Sequence, residues 1–288
     1  MKKIFYLFSV IALLSLLSCY PIDNWEQPSC AITGTVYDSY TGKPLLASQN
    51  EWVFRAWERS WSEIEGGAPS GGYNTLRIKQ DGTYKNTKMF PGTFDILPYD
   101  GPFWVSDTIK GVELKSKKTT ELDFTVTPYL VIDGFTYQHA TMPEDRGGGP
   151  GLYIKFKVKA PMLTNGDRTL GQLREVRVFL SLTPYCGYGS NSYISIPDYN
   201  DNNKGRIDVN QNWSNILNGT YKYAQLTYMG GLSANDNKAD PDLHLSPEFD
   251  LLVPVKKGYV YNVRVGANTT VSSNRYNYSP IQNIVIPK

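Results

Sequence analysis

The chain has 288 residues, of which 41% are hydrophobic, 13% aromatic and 19% charged; that suits about two ordinary domains and excludes both a disulfide-stapled mini-protein and a disordered chain. Three cysteines exclude a four-cysteine zinc site, and two histidines, His139 and His244, exclude a His-rich metal centre. The 29 basic residues include Lys2 and Lys3 and face 27 acidic ones, so the chain after residue 18 is balanced and gives no electrostatic reason to expect nucleic acid as partner.

The N-terminus reads as a targeting segment. Met1-Lys2-Lys3 precedes an apolar run, Ile4 to Leu17, broken only by Ser9 and Ser15. This has the charge and length of a secretory signal and is shorter than a membrane span. It ends in Leu16-Leu17-Ser18-Cys19, which resembles the bacterial lipobox. On that resemblance residues 1–18 are a lipoprotein signal peptide, and Cys19 becomes the lipidated first residue. Several acyl chains anchor stably, at about 0.8 kcal/mol per buried CH2. Residues 19–30 then carry the lipid and form a tether, with Pro21 and Pro28 and no clear period. Cys30 and Cys186 remain. An oxidising compartment permits a disulfide between them, and two separate thiols are the alternative.

From Ala31 the pattern is strand and turn. Ile32 to Tyr37 is β-branched and aromatic, and Asp38 to Pro44 supplies turn chemistry. Trp52, Phe54 and Ala56 alternate with Val53, Arg55 and Trp57, which predicts a strand; a helix through Asn50–Trp61 is the competing assignment. Glu65 to Asn74 reads as a loop. Strands follow around Thr75–Lys79, Pro91–Leu97, Val112–Leu114 and Leu122–Val126, with a short turn at Asp81-Gly82. Gly34-Thr-Val-Tyr-Asp38, Thr41-Gly42-Lys-Pro44, Asp81-Gly82-Thr-Tyr84 and Pro91-Gly92-Thr-Phe94 occur in that order. Together they resemble the carboxypeptidase regulatory-like (transthyretin-like) β-sandwich module over residues 31–127, with Asp81 and Gly82 closer together than its usual pattern has them.

Residues 128–288 read as a second set of strands. Ile154, Phe156 and Val158 alternate with lysines, and Val176, Val178 and Leu180 alternate with Glu175, Arg177 and Ser181. Phe249–Val253, Tyr259–Val265 and Ile284–Ile286 continue the pattern. The expected fold is therefore all-β: two consecutive antiparallel sandwiches, the second immunoglobulin- or fibronectin-like, meeting near Thr127–Pro128. The mature chain as a whole resembles a lipoprotein family of unassigned function that pairs such a module with a C-terminal sandwich. The matching stretches are Asp23–Pro28, Lys79–Thr87, Arg264–Ala267 and Asn274–Ser279. The resemblance implies an outer-membrane, cell-surface role in capturing polysaccharide beside transporter and lipoprotein pairs of the starch-utilisation type. It supplies no binding residues.

No enzyme motif stands out: there is no Gly-x-Ser-x-Gly elbow and no His-Glu-x-x-His. His244 with Asp240 and Ser246 suggests a triad only on paper, and a surface histidine is the plainer reading. Asp198–Asp208 resembles a calcium loop, but Lys204 falls at a ligand position, so no metal and no cofactor are expected. The aromatic residues are the better signal, because flat rings stack on sugars while Asn, Asp and Arg bond hydroxyls. Trp213, with Asn212 and Asn215 beside it, is the first choice for an exposed stacking platform, and core packing is its alternative. Trp104, and Tyr188 with Tyr185 and Tyr193, are further glycan-binding candidates, as are Trp57 and Trp61 beside the Gly-rich loop. The expected partners are a polysaccharide or oligosaccharide and an outer-membrane transporter complex. A structural or protein-contact role without a sugar site is the rival.

Overall fold

The computed structural model describes residues 27–59, 72–189, 193–196, 205–221, 238–272 and 275–288. Cys19, Trp61 and the Asp198–Lys204 loop lie outside them. The fold is almost entirely β, with 53% strand and one short helix among the described residues.

The N-terminal region contributes β1 (Cys30–Asp38), β2 (Glu51–Glu58), β3 (Asn74–Ile78), β4 (Thr83–Met89), β5 (Gly92–Pro98), β6 (Phe103–Trp104), β7 (Ile109–Leu114), β8 (Thr119–Glu121) and β9 (Phe124–Pro128). They hydrogen-bond in the order β6-β9-β1-β4-β3-β2-β5-β7, with β8 also on β1. The strand assignment for β2 prevails over the helix because Phe54 and Ala56 point into one core while Arg55 and Trp57 point away. Phe54 stacks on Phe124 at 4.3 Å and tilts against Tyr84 at 4.9 Å. Ile32, Val36, Leu76, Ile78, Phe94 and Ile96 complete that core. Burying each such side chain stabilises the fold by about 1.5–3 kcal/mol.

Not every pairing is antiparallel. β1 pairs in parallel with β8 through its first half and with β9 through its second. The predicted strand Leu122–Val126 is interrupted where Asp123 Oδ1 accepts the Thr35 amide at 2.7 Å. Gly34 permits this junction: a Cβ there would lie 2.0 Å from the Leu122 carbonyl oxygen, which also accepts the Tyr84 hydroxyl. At the shortened hairpin, Gly82 takes φ 84, and the Thr83 amide donates to Asp81 Oδ1 at 3.0 Å.

The C-terminal region contributes β10 (Val131–Thr141), β11 (Pro150–Lys159), β12 (Thr164–Asn165), β13 (Arg168–Thr169), β14 (Leu173–Ser181), β15 (Arg206–Gln211), α1 (Trp213–Leu217), β16 (Phe249–Pro254), β17 (Val260–Thr269), β18 (Asn277–Tyr278) and β19 (Gln282–Val285). A three-stranded sheet, β10-β11-β16, faces a five-stranded one, β15-β14-β17-β18 with β19 on β17. Leu152, Ile154, Phe156, Val176, Val178, Phe249, Val263 and Val265 fill the space between. A 3-10 turn, Glu144–Arg146, occupies the three-glycine loop. β9 and β10 belong to different sheets, so no sheet continues across Phe124–Ile132.

The outer face of the five-stranded sheet is also buried, because the N-terminal region covers it. Phe179, Cys186, Tyr276 and Tyr278 form an aromatic cluster there, with Leu46 packed against it. Arg264, 1% exposed, donates through Nη1 to the Ala47 carbonyl at 2.8 Å and to the Cys186 carbonyl at 3.1 Å, with its guanidinium 3.9 Å over the Tyr278 ring. Glu51, 2% exposed, accepts the Ser48 amide at 3.1 Å. Burial pushes its carboxyl up to about 7, against the opposing pull of that amide and of the Arg275 and Arg264 cations. Asn277 completes the closure, donating to the Pro102 carbonyl at 2.9 Å and accepting the Leu130 amide at 3.1 Å. Within these two family-like stretches, Arg264, Tyr276, Asn277 and Tyr278 are therefore seam residues. Cys30 and Cys186 are both buried free thiols, in the N-terminal core and at the seam, so the disulfide alternative is not realised. Burial raises the Cys186 thiol to about 12, which keeps it protonated and inert.

Candidate functional site

Several residues chosen from sequence are interior. Trp213 is 5% exposed and Trp104 4%, and both belong to the core of the C-terminal sandwich. Trp213 is thus not an exposed platform. It opens α1, and the helical spacing puts Ile216 on the same buried face, while Asn212 and Ser214 point to solvent. Its polar neighbours mark a helix start: Asn215 Nδ2 bonds Gln211 Oε1 at 3.2 Å. Trp104 reaches across from β6 and meets Tyr129 edge-on at 5.1 Å, which wedges the two regions together. Tyr188 is half-buried; its ring stacks on Tyr193 at 6.2 Å and its amide donates to the Tyr278 hydroxyl at 3.0 Å, so both tyrosines belong to the rim of the seam. Tyr185 stands apart from them, 49% exposed.

The Ser246–His244 arrangement does not form a triad. Ser246 is fully buried, with its hydroxyl donating to the Pro247 carbonyl at 2.8 Å and accepting the Val158 amide at 2.9 Å. It is a backbone clip, not a nucleophile beside His244. Among the described residues no group of three or more His, Cys, Asp or Glu could hold a metal ion. No described helix is long and apolar enough to cross a membrane.

The open chemistry lies on the outer face of the N-terminal sheet. Register places Arg55 opposite Thr75 on one side and Leu97 on the other, and Trp57 opposite Asp95. Strand alternation turns all of these away from the core. The Arg55 guanidinium sits between two rings, 4.6 Å from Tyr73 and 4.1 Å from Tyr99. It is locked by a two-pronged bond to Asp100, Nε to Oδ2 at 2.9 Å and Nη2 to Oδ1 at 2.8 Å. Trp57 tilts against Tyr73 at 5.5 Å, and Tyr73 is 43% exposed. Asp100 holds its fork from a left-handed backbone, φ 67, a conformation that costs a non-glycine residue free energy and that Asp tolerates better than most. The Arg275 side chain secures it from the other region, Nε to the Asp100 carbonyl at 2.9 Å. Below the shelf a cleft of about 180 Å³ is lined by Tyr99, Asp100, Tyr129, Val271 and Arg275, among others.

Of this group the sequence singled out only Trp57. Arg55, Tyr73, Tyr99 and Asp100 come from three separate segments, and only the strand register brings them together. The available signal was the alternation in β2, which puts Arg55 and Trp57 on the face opposite Phe54 and Ala56.

Residues 30–127 match the family described as a protein of unknown function (DUF3823), N-terminal domain. No curated protein matches the chain. A solved structure from Bacteroides uniformis, of a protein named a "putative carbohydrate binding protein", is 17% identical with a TM-score of 0.57, covering 91% of this chain and 100% of that one. A DUF3823 family protein from Bacteroides uniformis gives 19% identity and 0.54, with 90% and 100% covered. One from Parabacteroides merdae gives 16% and 0.52, again with 90% and 100% covered. At such identities the likeness is one of fold, and it extends over both sandwiches. Residues 30–127 are thus similar to the DUF3823 N-terminal domain, within a chain folded like the DUF3823 proteins.

Proposed function

We propose that this is a non-enzymatic lipoprotein, anchored through Cys19 to the outer membrane and facing the cell exterior, that binds polysaccharide for a glycan uptake system. The observation that carries the reading is the shelf of Trp57, Tyr73 and Tyr99 around the Asp100-locked Arg55 guanidinium. Aromatic faces accept the apolar face of a sugar ring, and an immobilised Arg–Asp fork offers hydroxyls a donor and acceptor pair without ordering cost. The name given to the Bacteroides uniformis protein supports the same class of ligand. Three carboxylates of the face are engaged by cations: Asp100 by Arg55, Asp95 by Arg59 at 3.6 Å, and Glu113 by Lys115 at 3.1 Å.

Two experiments test this. Tyr73→Ala should weaken polysaccharide retention in affinity electrophoresis while leaving the melting temperature unchanged; unchanged retention would remove the shelf from the site. Cys19→Ala should leave the protein unprocessed or release it from membranes. A mutant that partitions into detergent like wild type contradicts the anchor.

One observation favours protein contact as a second use. β10 spans 11 residues at the edge of its sheet, with most side chains exposed. An edge strand offers unpaired backbone groups to a partner, although the bulge at Asp133–Thr136 limits that surface.

A further inference from the structure

The chain turns at Asp100, whose left-handed backbone separates Tyr99, at the shelf, from Gly101–Val105, at the seam. Gly101 permits the tight return, because a Cβ there would lie 1.9 Å from the Phe103 ring. Tyr129, from the other region, is tied to the same segment, its amide donating to the Pro102 carbonyl at 3.0 Å. The cleft of about 180 Å³ opens here, lined by Tyr99, Phe103 and Val105 from one region and by Tyr129 and Val271 from the other. Val271 is 48% exposed.

The charged groups of the cleft are already engaged. The Asp100 carboxylate holds Arg55, and Arg275 Nε donates to the Asp100 carbonyl. The Ser272 hydroxyl is taken up by the backbone of Thr269 and Arg275. Two phenols are left. Tyr129 is 8% exposed, and its hydroxyl has no hydrogen-bond partner among the described residues. Burial holds this phenol above its ordinary range, against the pull of the Arg168 cation, so it keeps its proton to donate. A buried hydroxyl without a partner costs free energy, which a ligand's hydroxyl relieves. The Tyr99 hydroxyl likewise makes no hydrogen bond among the described residues. Two phenol hydroxyls between apolar walls suit a neutral sugar: they bond its hydroxyls while Val105, Val271 and the aromatic rings cover its C–H groups.

Tyr99 links the cleft to the shelf. Its ring lies 4.1 Å from the Arg55 guanidinium and also lines the cleft. A sugar on the shelf and a sugar in the cleft are therefore separated by one side chain, short enough for a single linkage. The volume falls below the roughly 300–1,000 Å³ of sites for drug-sized ligands, which fits one sugar ring rather than several.

We infer that the seam cleft takes a single neutral sugar, borne as a branch on a polysaccharide whose backbone lies on the Trp57–Tyr73–Tyr99 shelf. This rests on the glycan-binding reading and narrows its ligand to branched, neutral polysaccharides.

The test measures affinity of the purified protein for oligosaccharide pairs that share a backbone and differ in branches. They are galactosylated and plain mannopentaose, the xyloglucan heptasaccharide and cellotetraose, and arabinosylated and plain xylotetraose. The expected result is that at least one branched member binds at least tenfold more tightly than its linear partner. Val271→Trp, which fills the cleft, should bring that ratio to about one. Tyr129→Phe should lower it at least threefold at unchanged melting temperature, because the lost hydroxyl bonds nothing in the protein. Tyr73→Ala should weaken both members and keep the ratio. If Val271→Trp lowers the melting temperature, Tyr129→Phe decides. Equal affinities within every pair overturn the branch subsite and leave the glycan-binding reading standing. A preference that survives both cleft variants also overturns it. So does a linear member that matches its branched partner and weakens in Val271→Trp, since a chain end then fills the cleft. Binding of none of the six overturns both.

Discussion

Two sheet faces of this protein carry similar groups and meet different fates. On the outer face of the C-terminal sheet, Arg264 lies 3.9 Å over Tyr278 and is 1% exposed. On the outer face of the N-terminal sheet, Arg55 lies 4.1 Å from Tyr99 and 4.6 Å from Tyr73, and Tyr73 is 43% exposed. The first pair is sealed by backbone carbonyls of Ala47 and Cys186. The second is held in place by Asp100 but left open. An arginine stacked on tyrosines is therefore not a site by itself. It becomes glue where another sheet covers it and a shelf where none of the described residues does.

The sharpest way to break this comparison is to remove each arginine in turn. Arg264→Ala strips the buried cation that bonds the Ala47 and Cys186 carbonyls and should cost about 3–6 kcal/mol in chemical denaturation, at about 1.5–3 kcal/mol per hydrogen bond to a charged group. Arg55→Ala, at a partly exposed pair, should cost under about 1 kcal/mol. Equal costs would erase the distinction. The aromatic residues give a second contrast. Trp213→Ala should cost about 3–5 kcal/mol, because it empties a core position. Tyr73→Ala should stay within about 0.5 kcal/mol.

The seam also predicts a pH dependence. Glu51 stands at about 7 in the folded chain, against its ordinary 4.5. The folded state thus holds this proton more tightly than the unfolded chain does. Its contribution is fully present below about 4.5 and is lost as pH rises toward about 7, a loss on the order of 3 kcal/mol. Glu51→Gln, neutral throughout, should flatten that slope in melting curves from pH 4 to 8. A slope that survives the substitution assigns it to another group. The smallest expected effect is at the shelf: Tyr73→Ala should weaken glycan binding by about 1–3 kcal/mol, by analogy with bases stacked on aromatic side chains.

The strands were legible because their alternation is local. The motif glycines were legible because Gly34 in β1 and Gly82 in a turn meet needs that almost no other residue meets: a close carbonyl at one and positive φ at the other. Trp213 misled because polar neighbours mean exposure on a loop but cap and solvent face at the start of a helix, and a five-residue helix is too short to show a period. Arg264 and Tyr278 lie in stretches that resembled a family, yet their role depends on a cover supplied from residues 46–51, which no local pattern reports. The shelf was illegible for the same reason in reverse: Arg55, Tyr73 and Asp100 are neighbours only through the β2–β3 and β2–β5 registers.

Backbone hydrogen exchange with and without a bound polysaccharide tests the central claim most directly, because it reports where the ligand lies. The account predicts slowed exchange in Arg55–Trp57 and Tyr73–Lys79, with β14 and β17 unchanged. Protection confined to β10, or to the rim at Tyr188 and Tyr193, would contradict it.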